Sequence, residues 1–192
     1  MVKREIGWRQ VDLLATILIF AAGSALHFAY GWFGAWPPVA IFAAVNESVW
    51  EHLKIAFWPA LLWAALQLRF GRPREDGYWA ARGLGLFAIS MAIIIVFYGY
   101  TAFLGGGNLL LLDIATFAMA ILIGQSISNL ALSAVRRRPG LRIVGLAALF
   151  AQIAAFSASS YMTPHLRLFE DGRNGLYGLS AYEGPSHPAR DY

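Results

Sequence analysis

Long apolar runs, separated by short polar or proline- and glycine-containing segments, make up most of the chain. A helix needs roughly 20 apolar residues to cross a bilayer, and five runs reach or approach that length. The pattern predicts helices at about residues 8–32, 48–69, 79–104, 109–135 and 141–161. We therefore expect an all-α, polytopic membrane protein with five transmembrane helices. The bundle would occupy residues 1–161, followed by a polar tail over residues 162–192.

The break between the first two runs has an unusual form. Pro37-Pro38 ends the first helix, because a residue that precedes proline is disfavoured in the α region. The apolar stretch from Pro37 to Val45 is too short to span a bilayer and predicts a re-entrant or interfacial segment. Ser48 and Glu51 then fit the S-x-x-E capping box, a reciprocal pair of side-chain to backbone hydrogen bonds at a helix start.

Composition supports the membrane assignment. Hydrophobic residues make up 58% of the chain and charged residues only 14%. A typical soluble domain has roughly a quarter charged residues. The absence of cysteine excludes disulfide bonds, thiolate metal ligands and a cysteine nucleophile.

The distribution of basic residues predicts how the helices are oriented. Of the 15 lysine and arginine residues, 11 fall at one end of a five-span bundle: Lys3, Arg4, Arg9, Arg69, Arg72, Arg74, Arg82, Arg136, Arg137, Arg138 and Arg142. By the positive-inside rule this end and the N-terminus are cytoplasmic, and the tail is extracytoplasmic. The orientation accounts for the net charge of +4. We therefore expect membrane lipid, and no nucleic acid, among the partners.

In this orientation several ionisable residues gather toward the outer leaflet. They are His27, Glu47, Glu51, His52 and Asp113, together with His165, Glu170 and Asp171 at the start of the tail. An ionisable side chain at membrane depth costs several kcal/mol unless it is paired or solvated, so each is a candidate functional residue. The simplest interpretation is structural: Glu51 caps a helix, and Lys54 pairs with Glu47 or Glu51.

A second interpretation is a metal or acid–base site. Glu47 and Glu51 are four residues apart and can share a helix face. His52 lies about 100° further round the helix, so His27 and Asp113 would have to supply the remaining ligands. Carboxylate and imidazole ligands suit a divalent metal such as zinc, iron or manganese. The spacing matches neither E-x-x-H nor H-E-x-x-H.

A third interpretation concerns His27 alone. Gly23 precedes it by one helical turn, and a small residue there could leave room for a tetrapyrrole with His27 as its axial ligand. This arrangement resembles the histidine helices of light-harvesting and haem-binding membrane subunits. The competing expectation is a histidine packed against a carboxylate such as Glu47.

The tail is too apolar for a purely solvated segment. We expect it to fold back over the outer cluster or to dock on a partner subunit. Its apolar residues are Leu166, Leu168, Phe169, Leu176, Tyr177, Leu179 and Tyr182.

Residues Asn46 to Lys54 read N-E-S-V-W-E-H-L-K, and Phe57-Trp58-Pro59 follows them. This stretch, with the His27 helix before it, resembles the signature of a family of small bacterial integral membrane proteins of unknown function. The resemblance implies a multi-pass protein of the bacterial cytoplasmic membrane and adds no activity, substrate or cofactor.

The function expected from these observations is that of a non-catalytic accessory or stabilising subunit of a larger membrane complex, such as an energy-transducing photosynthetic or respiratory one. Its protein partners would bind the tail and the helix faces. A metal-dependent membrane enzyme with its site at the outer leaflet is the first alternative. A small-solute carrier is the second, although no internal repeat is visible to support it.

Overall fold

The computed structural model describes residues 8–70 and 75–183. Within these residues the chain forms five α-helices and three short 3-10 helices, with no β-strand. The α-helices are α1 (Trp8–Trp32), α2 (Val49–Phe70), α3 (Tyr78–Phe103), α4 (Leu110–Arg137) and α5 (Pro139–Ala158). The 3-10 helices are Pro37–Ile41, Arg167–Phe169 and Gly178–Ala181. The all-α prediction is confirmed for the described part of the chain.

The helices begin and end close to where the sequence indicates. The segment after Pro37-Pro38, expected to be interfacial or re-entrant, forms the 3-10 helix Pro37–Ile41. Helix α5 begins at Pro139, two residues before the predicted start. Proline is well tolerated there, because the first turn of a helix has no internal acceptor for its missing N–H.

Four of the helices are long and apolar enough to cross a membrane: α3, α4, α5 and the part of α1 from Leu14 to Trp32. Helix α2 is not among them, and it contains Glu51, Lys54 and Arg69. Length and composition thus support four of the five expected spans.

The first half of helix α2 is enclosed by protein. Its consecutive residues Leu53 to Phe57 are all at most 2% exposed. Successive residues of an α-helix point about 100° apart, so five buried neighbours in a row cover every side of the helix. Charged side chains in this half of α2 therefore lie inside the bundle.

The hydrophobic core draws on all five helices. Ile19, Phe57, Ile89, Ile121 and Phe156 belong to one buried cluster, and each comes from a different helix. The cluster accounts for the packing of the four apolar helices around the first half of α2.

Helix α3 packs against α4 and α5 through glycines. A Cβ atom on Gly83 would lie 2.0 Å from the carbonyl oxygen of Gly145, and one on Gly145 would lie 2.2 Å from that of Ala80. Gly85 and Gly124 face each other in the same way, with 2.5 and 2.6 Å to the opposite carbonyl oxygens. Small residues let helix backbones approach closely, which is a common way of packing helices in membranes.

One of the basic residues counted above, Arg82 near the start of α3, is buried between three helices. Its guanidinium donates to the side-chain oxygens of Gln67 in α2 and Gln125 in α4, at 2.6 and 2.7 Å. Lys3, Arg4, Arg72 and Arg74 lie outside the described residues.

The glycine contacts lead to a stability prediction. Gly83→Ala should destabilise the protein by on the order of 1–3 kcal/mol, because its Cβ would overlap a backbone carbonyl. Gly99→Ala is the matched control, since Gly99 lies in the same helix with nothing within 4 Å of its added Cβ. Thermal unfolding in detergent measures both. Equal melting temperatures for the two variants would contradict the close α3–α5 contact.

Candidate functional site

A buried ion pair joins two residues of the first turns of α2. Lys54 and Glu51 are three positions apart, and their side chains are 0% and 2% exposed. The Lys54 ammonium is in direct contact with Oε2 of Glu51. A buried charge pair stabilises a fold only when its other hydrogen-bonding groups also find partners.

Here those partners are present. Nζ of Lys54 donates to the carbonyl oxygen of Ala40 and to Oγ of Ser160, both at 2.7 Å. With Glu51 as the third acceptor, all three ammonium protons are used. Glu51 accepts from Ser160 Oγ at 3.1 Å and from the backbone N–H of Val45 at 3.0 Å. The pair therefore ties α2 to the Pro37–Val45 segment and to Ser160, two residues after the end of α5.

The predicted capping box forms only in part. The N–H of Glu51 lies 3.4 Å from Ser48 Oγ, as a helix N-cap requires. The Glu51 carboxylate does not return to Ser48, because it binds Lys54 and Val45. The side chain of Asn46 accepts the Ser48 N–H instead, at 2.9 Å.

Residues 159–183, here called the tail segment, are seated on the start of α2. The side chain of Asn46 donates to the carbonyl oxygen of Gly178 at 3.0 Å. The backbone N–H of Glu47 donates to Asp171 at 2.9 Å, and Arg173 reaches the Glu47 carboxylate at 3.1 Å. Asp171 is itself buried. The expectation that the tail folds back over this region agrees with these contacts.

Trp50 adds an apolar contact between the start of α2 and the tail segment. Its ring centroid lies 4.8 Å from that of Phe156 in α5 and 4.5 Å from that of Phe169 in the tail segment. Its indole N–H donates to Ser159. One side chain of the Asn46–Lys54 stretch thus touches both α5 and the tail.

Three of the candidate residues, His27, Glu47 and His52, lie close together beside this contact, and we refer to them as the His–Glu triad. Oε2 of Glu47 lies 3.5 Å from Nε2 of His27 and 3.6 Å from Nε2 of His52. The three side chains are between 28% and 32% exposed. One potential ligand atom from each lies within 4.8 Å of the others. The pairing of His27 with Glu47 that we considered from the sequence is present.

Two other candidates lie elsewhere. Glu51 is used by the buried ion pair. Asp113, near the start of α4, binds the hydroxyl of Tyr100 and the side-chain amide of Asn108. Neither residue is part of the His–Glu triad.

The structure also corrects the expectation of room for a tetrapyrrole beside His27. A Cβ atom on Gly23 would lie 2.8 Å from the carbonyl oxygen of Ile55 and 2.8 Å from the ring of Phe117. The space next to Gly23 is therefore filled by α2 and α4. The glycine serves close helix packing there.

Several long-range contacts of the site were not predicted from the sequence. Ser160, Asp171 and Arg173 are more than 100 residues from their partners in the Asn46–Lys54 stretch. A hydroxyl at the end of an apolar helix and an isolated acid–base pair in a polar tail are ordinary features, so no local signal distinguishes them.

The fold and the site together define an all-helical protein with membrane-compatible helices and its polar interactions concentrated where the tail meets the bundle. Residues 3–179 match a described protein family. The chain belongs to this family, a family of unknown function (DUF6512). The match includes all five helices and most of the tail segment. No curated protein and no solved structure matches the chain.

The buried pair should be sensitive to loss of either charge alone. Lys54→Met should cost about 3–5 kcal/mol, because the Glu51 carboxylate would remain buried without a counter-charge. The double variant Glu51→Leu with Lys54→Met should be markedly more stable than either single variant. Thermal unfolding of the detergent-solubilised variants tests this. If the loss of stability in the double variant equalled the sum of the losses in the two single variants, the two charges would not depend on each other.

Asp171 should be necessary for seating the tail segment. Asp171→Ala leaves the N–H of Glu47 without its acceptor and removes the acceptor of the Arg173 N–H at 2.7 Å. Losing such buried bonds should expose the segment often enough to accelerate trypsin cleavage after Arg173 by roughly tenfold. Asp76→Ala, at the opposite end of the bundle, is the control. Unchanged cleavage in Asp171→Ala would contradict the assigned role.

Proposed function

We propose that this protein is an integral membrane protein that acts as a non-catalytic accessory or stabilising subunit of a larger membrane complex. In this proposal all five helices cross the bacterial cytoplasmic membrane, the N-terminus is cytoplasmic and the tail is extracytoplasmic. Helix α2 crosses as the enclosed helix, shielded by its neighbours along its charged half, which is how a polar helix is accommodated in a bundle.

The observation that most supports a subunit role is a tail segment that is anchored yet exposes apolar side chains. Met162 is 79% exposed, Leu166 61% and Leu176 48%. Apolar side chains exposed outside the bilayer favour a contact with another protein. The hydrogen bonds to Asn46 and Glu47 hold the segment in place before a partner arrives. A preorganised contact surface loses less conformational entropy on binding.

The His–Glu triad favours a second candidate, a metal-dependent enzyme at the outer leaflet. Two imidazoles and one carboxylate with an open side are the ligand set of many catalytic metal sites. Glu51 and Asp113, which we had included in such an enzyme, have other partners. The candidate enzyme site is therefore reduced to His27, Glu47 and His52.

The subunit proposal is tested by extraction from native membranes in a mild detergent, followed by mass spectrometry of the purified sample. We expect partner chains in fixed ratio with the wild-type protein. A variant combining Leu166→Ser and Leu176→Ser should lose them while keeping its melting temperature. Leu130→Ser is the control, since Leu130 is 71% exposed, more than either tail residue, but lies on α4, away from the tail segment.

Purification of the wild-type protein alone, at native expression level, would count against a subunit role. Retention of the same partners by the double tail variant would show that the tail segment is not the contact surface. Turnover of a substrate that depends on bound metal would replace the proposal with the enzyme alternative.

A further inference from the structure

We propose that the His–Glu triad binds one divalent transition-metal ion of the zinc class. The ion would be coordinated by Nε2 of His27, Oε2 of Glu47 and Nε2 of His52, with water in a fourth position. This inference concerns metal binding by the isolated chain. It holds or fails independently of the proposed subunit role.

The spacing within the triad is the first argument. The two nitrogen to oxygen separations, 3.5 and 3.6 Å, are longer than good hydrogen bonds, which lie at about 2.7–3.2 Å. Two ligand atoms bound at about 2.0–2.1 Å to one tetrahedral ion lie roughly 3.3 Å apart. These two separations are therefore too long for good hydrogen bonds and close to the edge length of a tetrahedral site, while a ring nitrogen of each histidine lies within 4.8 Å of the other.

The orientation of the His52 ring also favours metal binding. Its Nδ1 lies 2.8 Å from the carbonyl oxygen of Ser48, to which only a protonated nitrogen can donate. In a neutral imidazole this leaves the lone pair on Nε2, and that nitrogen faces the Glu47 carboxylate. Metal-binding histidines usually have this arrangement, with the second ring nitrogen donating to a backbone carbonyl. Two facing acceptors also repel each other unless a cation or proton lies between them.

Glu47 is also held so that its Oε2 faces both His27 and His52. Its Oε1 accepts from the Arg173 guanidinium at 3.1 Å, so Oε2 is the oxygen nearest both imidazoles. The Glu47 backbone is fixed in turn by Asp171 at 2.9 Å. Such outer contacts orient a metal-binding carboxylate before the ion arrives.

The chemistry of the ligands indicates the class of ion. Two imidazoles with one carboxylate favour zinc and neighbouring transition metals, whereas magnesium and calcium prefer oxygen ligands alone. The partial exposure of all three side chains leaves one side open to solvent. An open fourth position distinguishes such a site from a closed structural zinc site.

The position of the triad gives the ion a defined mechanical role. His27 lies near the end of α1, His52 lies in the first turn of α2, and Glu47 lies in the connection between them. The rings of His27 and His52 are 5.1 Å apart and nearly perpendicular. An ion bound here would cross-link α1 to α2 beside the docked tail segment.

The test is zinc binding by the purified chain in detergent, after chelation and removal of the chelator. Isothermal titration calorimetry and elemental analysis should give one zinc per chain, with no comparable binding of magnesium or calcium. His27→Ala and His52→Ala should each weaken zinc binding by at least roughly tenfold, since even outer contacts of a metal site are worth that much. His165→Ala is the matched control, because His165 packs against the ring of Tyr177 and lies outside the triad.

Cobalt(II) provides a second readout that depends on coordination geometry and not on affinity. The wild-type protein and His165→Ala should show the visible absorption of four-coordinate cobalt, and His27→Ala and His52→Ala should not. Melting temperatures without metal establish that each variant is folded; if one ligand variant fails to fold, the other decides. No saturable zinc binding by the wild type, or equal binding by His27→Ala, His52→Ala and His165→Ala, would overturn the proposal. The triad would then be an ion-paired contact only.

Discussion

Most of the contacts at the end of the bundle that holds the tail segment depend on the burial of the Lys54 ammonium. A charge without exposure to water requires a counter-charge and an acceptor for each remaining proton. Glu51, Ser160 and the carbonyl of Ala40 meet these requirements, and they come from three different parts of the chain. The start of α2, the segment after Pro37-Pro38 and the end of α5 must therefore all be in place together.

The same constraint explains how α2 can carry buried charges in a half that is enclosed by protein. Residues Leu53 to Phe57 face protein on every side, so around this half of α2 the apolar outer surface comes from the other helices. Glycines on α3, α4 and α5 let those helices pack closely. Arg82, with Gln67 and Gln125, forms a second buried polar contact nearer the other end of α2. The bundle is held by polar contacts near both ends and by apolar packing between them.

Sequence reasoning succeeded where the signal was local. Apolar runs, Pro37-Pro38 and the Ser48 cap located the helices within a few residues, because these signals act within one or two turns. The structure brings His27 and Glu47 together, as one of the sequence-based interpretations expected. Asp113 lies apart from them, because orientation assigns a residue to one end of a bundle but does not say which helices are neighbours. The contacts of Ser160 and Asp171 could not be predicted, since they depend on how a distant tail returns to α2.

The separation of Lys54 from Ser160 has a consequence for how the protein is made. The two residues are 106 positions apart, so the ribosome delivers the serine long after the lysine. If α2 crosses the bilayer as we propose, its ammonium enters the membrane before one of its three acceptors has been synthesised. Nascent α2 must then stay in contact with the insertion machinery, or with α1, until α5 has been synthesised and inserted. A chain truncated before α5 would be a substrate for membrane quality control, even though its first four helices are complete.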